Sequence, residues 1–263
     1  MFFFSLTSWQ LALLVLAVVA SATIGGHVVG GHMREESDTL REPFGVLQGA
    51  LLGVVGLILA FGLSLAVGRY EDRRAATVAE ANAIGTTYLR AQLIAEPARS
   101  HSLDALRRYT SLALKITQEV PNSSAMRRTT AAEGVLQRQL WRLAGEAMAA
   151  GPVASAPRLY VDSLNSTFDQ QSVRLSALNN RVPSPVLAIE VIGAAVALGL
   201  LAMHISILGR GLVPMLVAAA LVSLLLLVTF DLDRPTRGLI TVPSTPLQAL
   251  RASMALPPAA RAP

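Results

Sequence analysis

The sequence has no cysteine, and only 15% of its 263 residues are charged. The absence of cysteine excludes disulfide bonds, cysteine-ligated zinc or iron–sulfur sites, and a cysteine nucleophile. Soluble domains usually carry charge on about a quarter of their residues. The low charge comes with 52% hydrophobic residues and a mean hydropathy of +0.50. Together these values indicate that long parts of the chain avoid water.

Four long stretches account for the low charge: residues 9–31, 44–67, 186–208 and 212–230. Their only charged residue is Glu190, in the third stretch. Each can cross a hydrocarbon core about 30 Å thick as a helix, which rises about 1.5 Å per residue. A buried core helix is the alternative for any one stretch, and a signal peptide is a second alternative for the first. We favour four spans because charges separate the stretches and no Lys or Arg precedes the first.

Positive charge is concentrated in one segment. Residues 68–185 hold fifteen of the 22 Lys and Arg, and four more follow residue 230. Because Lys and Arg gather on the cytoplasmic side of membrane proteins, we expect both termini and this middle segment to be cytoplasmic. Loops 32–43 and 209–211 are then expected outside. The same rule explains the pI of about 10.4, so we expect the lipid bilayer and not nucleic acid as the partner of this basic chain.

The middle segment has the pattern of helices, with no alternating strand pattern and no hairpin turn. Ser102, and Ser123 or Ser124, are predicted helix caps, and prolines separate the helices. The predicted fold is an all-α membrane protein with four transmembrane helices and a helical cytoplasmic bundle inserted between the second and third. The predicted domains are a first helix pair (1–68), the cytoplasmic segment (69–185), a second helix pair (186–230) and a cytoplasmic tail (231–263).

The second span carries a stripe of small residues at steps of three or four, which is typical of close helix packing within or between subunits. The stripe consists of Gly45, Gly49, Gly53, Gly56, Ala60 and Ser64. Alternatively, part of this helix faces a pore. Leu57, Phe61 and Leu65 would then form an apolar ring in an oligomer, and such rings can gate by excluding water.

The last span ends in TFDLDRPTRGLI, residues 229–240, which mixes charges of both signs. Pro235 helps to end the helix. A solvated stop signal is the simplest interpretation. However, the alternation of Asp231 and Asp233 with Arg234 and Arg237 also fits defined ion pairs. The expected partners of these ion pairs lie in the middle segment: Arg69, Arg73 or Glu80.

Few residues suggest chemistry. Glu190 is a candidate functional residue because carboxylates are rare in membrane spans. His27, His32 and His204 are interpreted as interfacial, since no helix presents a ligand-spaced pair. The chain has no Walker loop, Gly-Xaa-Ser-Xaa-Gly elbow, His-Glu-Xaa-Xaa-His motif or kinase set. We therefore expect no enzymatic activity, no catalytic residue, no metal site and no cofactor.

Two motifs resemble those of a bacterial membrane family of unknown function that is described as bestrophin-like. They are GRYEDRRAATVAEANAIGTTYLRAQLI, residues 68–94, and FDLDRPTRGLI near the end. The resemblance extends over about residues 44–250. It implies a bacterial inner-membrane location, and it places Asn82 with Glu80 in the distinctive Glu-Ala-Asn-Ala-Ile-Gly-Thr motif.

The comparison with bestrophins implies a function. Bestrophins are pentameric anion channels whose second helix lines the pore and forms an apolar neck. That helix ends in Arg followed by aromatics, as Arg69 and Tyr70 do here. The resemblance thus implies a homo-oligomer, pentameric by analogy, that passes chloride or another small anion. On this analogy the neck lies at Phe61, Leu57 and Val54, which overlaps the ring of Leu57, Phe61 and Leu65. The polar motif residues would hold subunits or gate helices in register. The alternative is a non-conducting membrane scaffold or sensor whose cytoplasmic bundle binds a partner.

Overall fold

The computed structural model describes residues 7–33, 41–151, 153–209 and 213–260, and all elements in these ranges are helices. This confirms the all-α prediction. The helices are α1 (Ser8–His32), α2 (Arg41–Ala91), α3 (Ala98–Ile116), α4 (Ser124–Ala150), α5 (Ser155–Asn179), α6 (Ser184–Ile207), α7 (Val213–Leu232) and α8 (Thr245–Met254). Most of loop 32–43 and all but residue 209 of loop 209–211 lie outside the described residues.

Four stretches are long and apolar enough to cross a membrane: Trp9–His32, Gly45–Ala91, Ser155–Ile207 and Val213–Leu232. The third includes α5 and α6, and its apolar part is α6. Each predicted span therefore corresponds to one helix or helix segment: α1, the first part of α2, α6 and α7. Helix α2 is longer than any single span requires, because its 51 residues continue without a break into the Ala-rich polar sequence.

The chain divides into two compact units. Unit 1 consists of Met1–Arg69 and Arg181–Ile240, and unit 2 of Tyr70–Asn180 and Thr241–Pro263. Unit 1 thus contains the four apolar segments, and unit 2 contains the amphipathic helices α3 to α5 and the short helix α8.

Unit 1 is organised by the packing of α1 against α6. The two backbones approach closely at Gly26, where a Cβ atom would overlap the backbone of Gly199, and at Gly30, where it would overlap that of Met203. Ser206 also donates a hydrogen bond of 2.9 Å from Oγ to the His27 carbonyl. Apolar side chains gain little by leaving lipid for each other, so membrane helices depend on close backbone contacts of this kind.

Unit 2 has a conventional amphipathic core. Its centre holds Leu106, Tyr109, Leu140, Tyr160 and Leu164, none of them exposed to solvent. Apolar residues recur every three or four positions along α3 and α4, which places them on one face of each helix. Burial of these faces supplies most of the stability of such helices.

The ends of the helices in unit 2 confirm one capping prediction and correct another. Ser123 caps α4, because its hydroxyl accepts the Met126 N–H at 3.1 Å. Ser102 does not cap a helix. It is buried inside α3, which begins four residues earlier, after Pro97. The sequence pattern did not anticipate α8, whose Leu247 and Met254 are buried in the core of unit 2.

We predict that Gly26→Ala will destabilise the protein, because the new methyl group would overlap the Gly199 backbone. Overpacking of this kind costs about 1–3 kcal/mol. The measurement is the thermal midpoint of the purified protein in detergent. Gly25→Ala is the matched control, since a Cβ atom there meets nothing within 4 Å. Equal midpoints for the two variants would contradict the close contact.

Candidate functional site

The predicted neck residues share one uncovered face of α2. Leu57, Phe61 and Leu65 follow each other at steps of four and are 57%, 62% and 48% exposed. The opposite face holds Val55 and Leu59, which are buried in the apolar core of unit 1. Within the chain, α2 is therefore attached along one side and presents a row of large apolar side chains on the other.

The small residues of α2 lie mostly on uncovered surface as well. A Cβ atom at Gly49, Gly53 or Gly56 would meet nothing within 4 Å in the described structure, and Ala60 is exposed. These four positions of the predicted stripe are thus not used for packing among the described helices of one chain. Gly45, at the start of the stripe, does lie close to α6, since a Cβ atom there would be 3.3 Å from the His204 ring. Packing between subunits stays a prediction for these four positions.

Helix α2 instead makes a close contact at Gly62, which was not among the predicted packing residues. A Cβ atom there would overlap the carboxylate of Glu190 on α6. Glu190 is only 1% exposed, and neither carboxylate oxygen has a hydrogen-bond partner among the described residues. The single charged residue of the four spans therefore lies against the backbone of the candidate pore helix.

The Asp/Arg motif begins in the last turn of α7, and the chain that follows folds back around Asp231. The Leu239 N–H donates to Oδ1 at 2.9 Å and the Ile240 N–H to Oδ2 at 2.7 Å. Gly238 lies directly under the carboxylate, at a position where a Cβ atom would be 2.8 Å from it. The mixed motif is therefore a carboxylate-capped turn, and glycine is required where the backbone passes closest to the acid.

Asp233 connects this turn to the residues that precede α6. Its Oδ1 atom accepts the Val182 N–H at 3.0 Å, and the carboxylate is fully buried. Arg234 is also buried, and burial lowers its pKa while the nearby Asp231 carboxylate opposes that effect. Arg237 is exposed and Arg69 is half-buried. The predicted ion pairs between this motif and Arg69, Arg73 or Glu80 stay a prediction.

Arg73 and Glu80 both have buried partners within unit 2. Arg73 donates to the carbonyl oxygens of Ala177, at 3.2 Å, and Asn180, at 2.7 Å, at the end of α5. Glu80 forms an ion pair with Arg174 of α5. Both residues therefore attach the second part of α2 to α5.

Glu80 belongs to a buried charged cluster that the sequence analysis did not find. Its other members are Arg174 and Glu133, and all three side chains are at most 1% exposed. A signal was present: Glu133 lies three residues before Leu136 on the apolar face of α4, and Arg174 lies between Gln171 and Leu178 on that of α5. Charged residues on apolar helix faces are rarely buried unless paired.

The cluster strongly perturbs one carboxylate. Glu133 accepts a hydrogen bond of 2.9 Å from Gln171 Nε2. Burial, with a smaller contribution from Glu80, raises the pKa of Glu133 to about 7, although Gln171 and Arg174 act in the opposite direction. Burial and the same two carboxylates raise the pKa of Tyr109.

Asn82 lies on the outer side of the same segment of α2. It is exposed and lines a polar groove with Thr86, Arg90, Asp162 and Ser166. Arg90 and Asp162 form an ion pair of 3.1 Å in this groove. The Glu-Ala-Asn-Ala-Ile-Gly-Thr motif thus contributes to two surfaces, since Glu80 points into the core and Asn82 away from it.

No group of three or more His, Cys, Asp or Glu is arranged to hold a metal among the described residues.

In the described residues the protein is all-helical, and four of its helices or helix segments are long and apolar enough to cross a membrane, as in a multi-pass membrane protein. The chain belongs to the bestrophin-like family, whose domain model matches residues 12–247. This confirms the resemblance seen in the two sequence motifs. No curated protein matches the chain in sequence.

Solved structures of bacterial bestrophin homologues share the fold. A point variant of a bestrophin homologue from Klebsiella pneumoniae superposes with a TM-score of 0.63 at 15% identity, over 92% of this chain and 95% of that chain. A second structure of a homologue from that organism gives a TM-score of 0.60 at 18% identity, over 92% and 94%. At such low identity the likeness establishes the fold alone.

We predict that Asp231→Asn will destabilise the loop after α7. An amide has one acceptor oxygen, so one of the two N–H groups would face an NH₂ group, at a cost of about 1–3 kcal/mol. The check is a lower thermal midpoint of the purified protein. The exposed Asp72→Asn is the control. A midpoint equal to that of the control would show that the carboxylate does not hold the turn.

Proposed function

We propose that the protein is an oligomeric ion channel of the bacterial inner membrane, permeable to chloride or other small anions, with α2 lining the pore. The observation that carries the proposal is the uncovered row of Leu57, Phe61 and Leu65 on an otherwise attached helix. Membership of the bestrophin-like family agrees with this function.

The two faces of α2 support an axial position. One face is buried against the protein's own core, so the row at Leu57, Phe61 and Leu65 must face lipid, another subunit or a pore. Around a symmetry axis, each subunit would contribute these side chains to stacked apolar rings. A ring of this kind is closed to ions when it excludes water and open when it is widened or wetted.

The uncovered small residues toward the start of the same helix fit contacts between subunits. Gly49, Gly53, Gly56 and Ala60 leave room for another helix to approach the α2 backbone. A pentamer is the expected assembly by analogy with bestrophins. Packing of these residues would hold the α2 helices around the axis with the larger side chains at the neck.

The distribution of charge supports anions as the permeant species. Residues 69–185 form the proposed cytoplasmic segment, inserted between the second and third spans, and contain fifteen of the 22 Lys and Arg. With both termini also cytoplasmic, the arrangement follows the positive-inside rule. A basic surface near one end of a pore raises the local concentration of anions and disfavours cations.

We predict that Phe61→Ala will increase anion flux from liposomes containing the purified protein. Removal of the ring widens and wets the neck, and a rise of about tenfold is expected for a barrier lowered by about 1.4 kcal/mol. Chloride is the test ion. The fluxes of larger anions and of potassium, each measured in the same way, determine selectivity among anions and against cations.

Leu221→Ala is the matched control, because Leu221 is 59% exposed on α7, another spanning helix. It should leave the flux at the wild-type level. No flux from either the wild type or Phe61→Ala, with the oligomer intact, would reject the channel. That outcome would support the alternative, a non-conducting scaffold or sensor whose helical bundle binds a partner. Under this alternative, Phe61→Ala would lower the stability of the oligomer and would produce no flux.

A further inference from the structure

The buried cluster in unit 2 contains more negative than positive charge. Glu80 on α2 and Glu133 on α4 each have less than 1% of their surface exposed, and Arg174 on α5 has 1%. One guanidinium can balance only one carboxylate. Arg174 is paired with Glu80 and also donates to the Ala113 carbonyl at 3.2 Å.

The other neighbours of Glu133 do not supply the missing positive charge. From α5, Gln171 donates a neutral amide hydrogen bond to Oε2, and Oε1 has no hydrogen-bond partner among the described residues. From α3, Tyr109 contributes a neutral hydroxyl, which accepts from Gln137 at 3.3 Å. From the α3–α4 connection, Glu119 adds a further negative charge.

The single lysine of the sequence, Lys115, lies beside another carboxylate. Lys115 is largely exposed and lies 4.0 Å from Glu119. Glu119 in turn accepts a hydrogen bond of 2.8 Å from Thr129. In the part of the chain that the structure describes, the groups that act on Glu133 are therefore neutral or negative, apart from the guanidinium that Glu80 already engages.

A second buried carboxylate without a counter-charge is unfavourable in a protein core. The chemically simplest balance is one proton held by the two carboxylates. Interacting acids of this kind titrate as a pair. Burial raises the pKa of Glu80 as well, but the Arg174 guanidinium opposes that shift. Glu133 has no such ion pair among the described residues, so it is the carboxyl that holds the proton.

We propose that Glu133, Glu80 and Arg174 form a proton-binding site in the core of unit 2, through which pH controls the packing of α4 against α3 and α5. When Glu133 is neutral, the core has balanced charge and α4 is tightly packed. When Glu133 loses its proton, the core has an uncompensated negative charge, and α4 loosens to admit water. This site is separate from the candidate pore and does not depend on conduction.

The direction of the pH effect follows from the raised pKa. Glu133 titrates at about 7 in the folded protein, compared with 4.5 for an ordinary glutamate. The unfolded chain therefore releases the proton at a lower pH than the folded chain does. The contribution to stability is complete below pH 4.5 and is lost as the pH rises through about 7.

The test uses the full-length protein in lipid nanodiscs. Infrared difference spectra recorded from about pH 5 to about pH 9 follow the protonated-carboxyl band. We expect a component of this band that disappears as the pH rises through about 7 in the wild type and is missing in Glu133→Gln. Glu190, the other buried carboxyl without a counter-charge among the described residues, is present in both proteins and cancels in the comparison. Glu146→Gln, at an exposed position of the same helix, is the matched control and should keep the band.

Hydrogen exchange of the α4 amides provides the structural readout. After correction for the intrinsic pH dependence of exchange, we expect wild-type protection in Ser124–Ala150 to fall by about tenfold between the two ends of the pH range. Glu133→Gln mimics the protonated acid, so its corrected protection should change little with pH.

A second variant keeps the test independent of whether Glu133→Gln folds. Glu80→Gln frees Arg174 to pair with Glu133, so the carboxyl band should titrate at least about one pH unit lower. Carboxyl bands that are the same in the wild type and Glu133→Gln over the whole pH range would overturn the proposal. So would an unshifted band in Glu80→Gln, or α4 protection that is independent of pH in the wild type.

Discussion

The close approach of α1 to α6 is the contact on which the arrangement of the apolar helices depends. Gly26 and Gly30 bring the backbone of α1 against Gly199 and Met203. Any larger residue at position 26 or 30 would overlap the α6 backbone. In lipid, dispersion contacts between close surfaces replace the hydrophobic effect as the source of helix association. With α1 and α6 joined in this way, α2 contacts the pair through one face only, and its other face is available for assembly.

Carboxylates without access to water control the rest of the fold. Three of them lie where fixed donors or a cation can balance their charge: Asp231 at two backbone N–H groups, Asp233 at another, and Glu80 at Arg174. Burial of an unmatched carboxylate is costly, so these contacts define specific positions for the chain after α7 and for the second part of α2. Glu133 in unit 2 has no such cation of its own among the described residues, and for this reason we propose it as the proton-binding group.

The proposed pore and the proposed proton site use different parts of the same helix. The first part of α2 carries the apolar row with Phe61, and its second part carries Glu80. One continuous helix of 51 residues thus carries residues of both proposals. Conduction and proton binding are nevertheless separate proposals, because each rests on contacts within its own unit.

The sequence by itself determined the features that depend on local pattern. Runs without charge predicted the four apolar helices, spacing predicted the amphipathic helices, and Ser123 was recognisable as a cap. The family was recognisable from two motifs. Only the tertiary structure decided which small residues pack: the close contacts are at Gly26, Gly30 and Gly62, not at Gly49, Gly53 or Gly56. It also paired Glu80 with Arg174, across 94 positions of the chain. Such pairings depend on how the helices are rotated and brought together, and helical spacing within one segment carries no information about its distant neighbours.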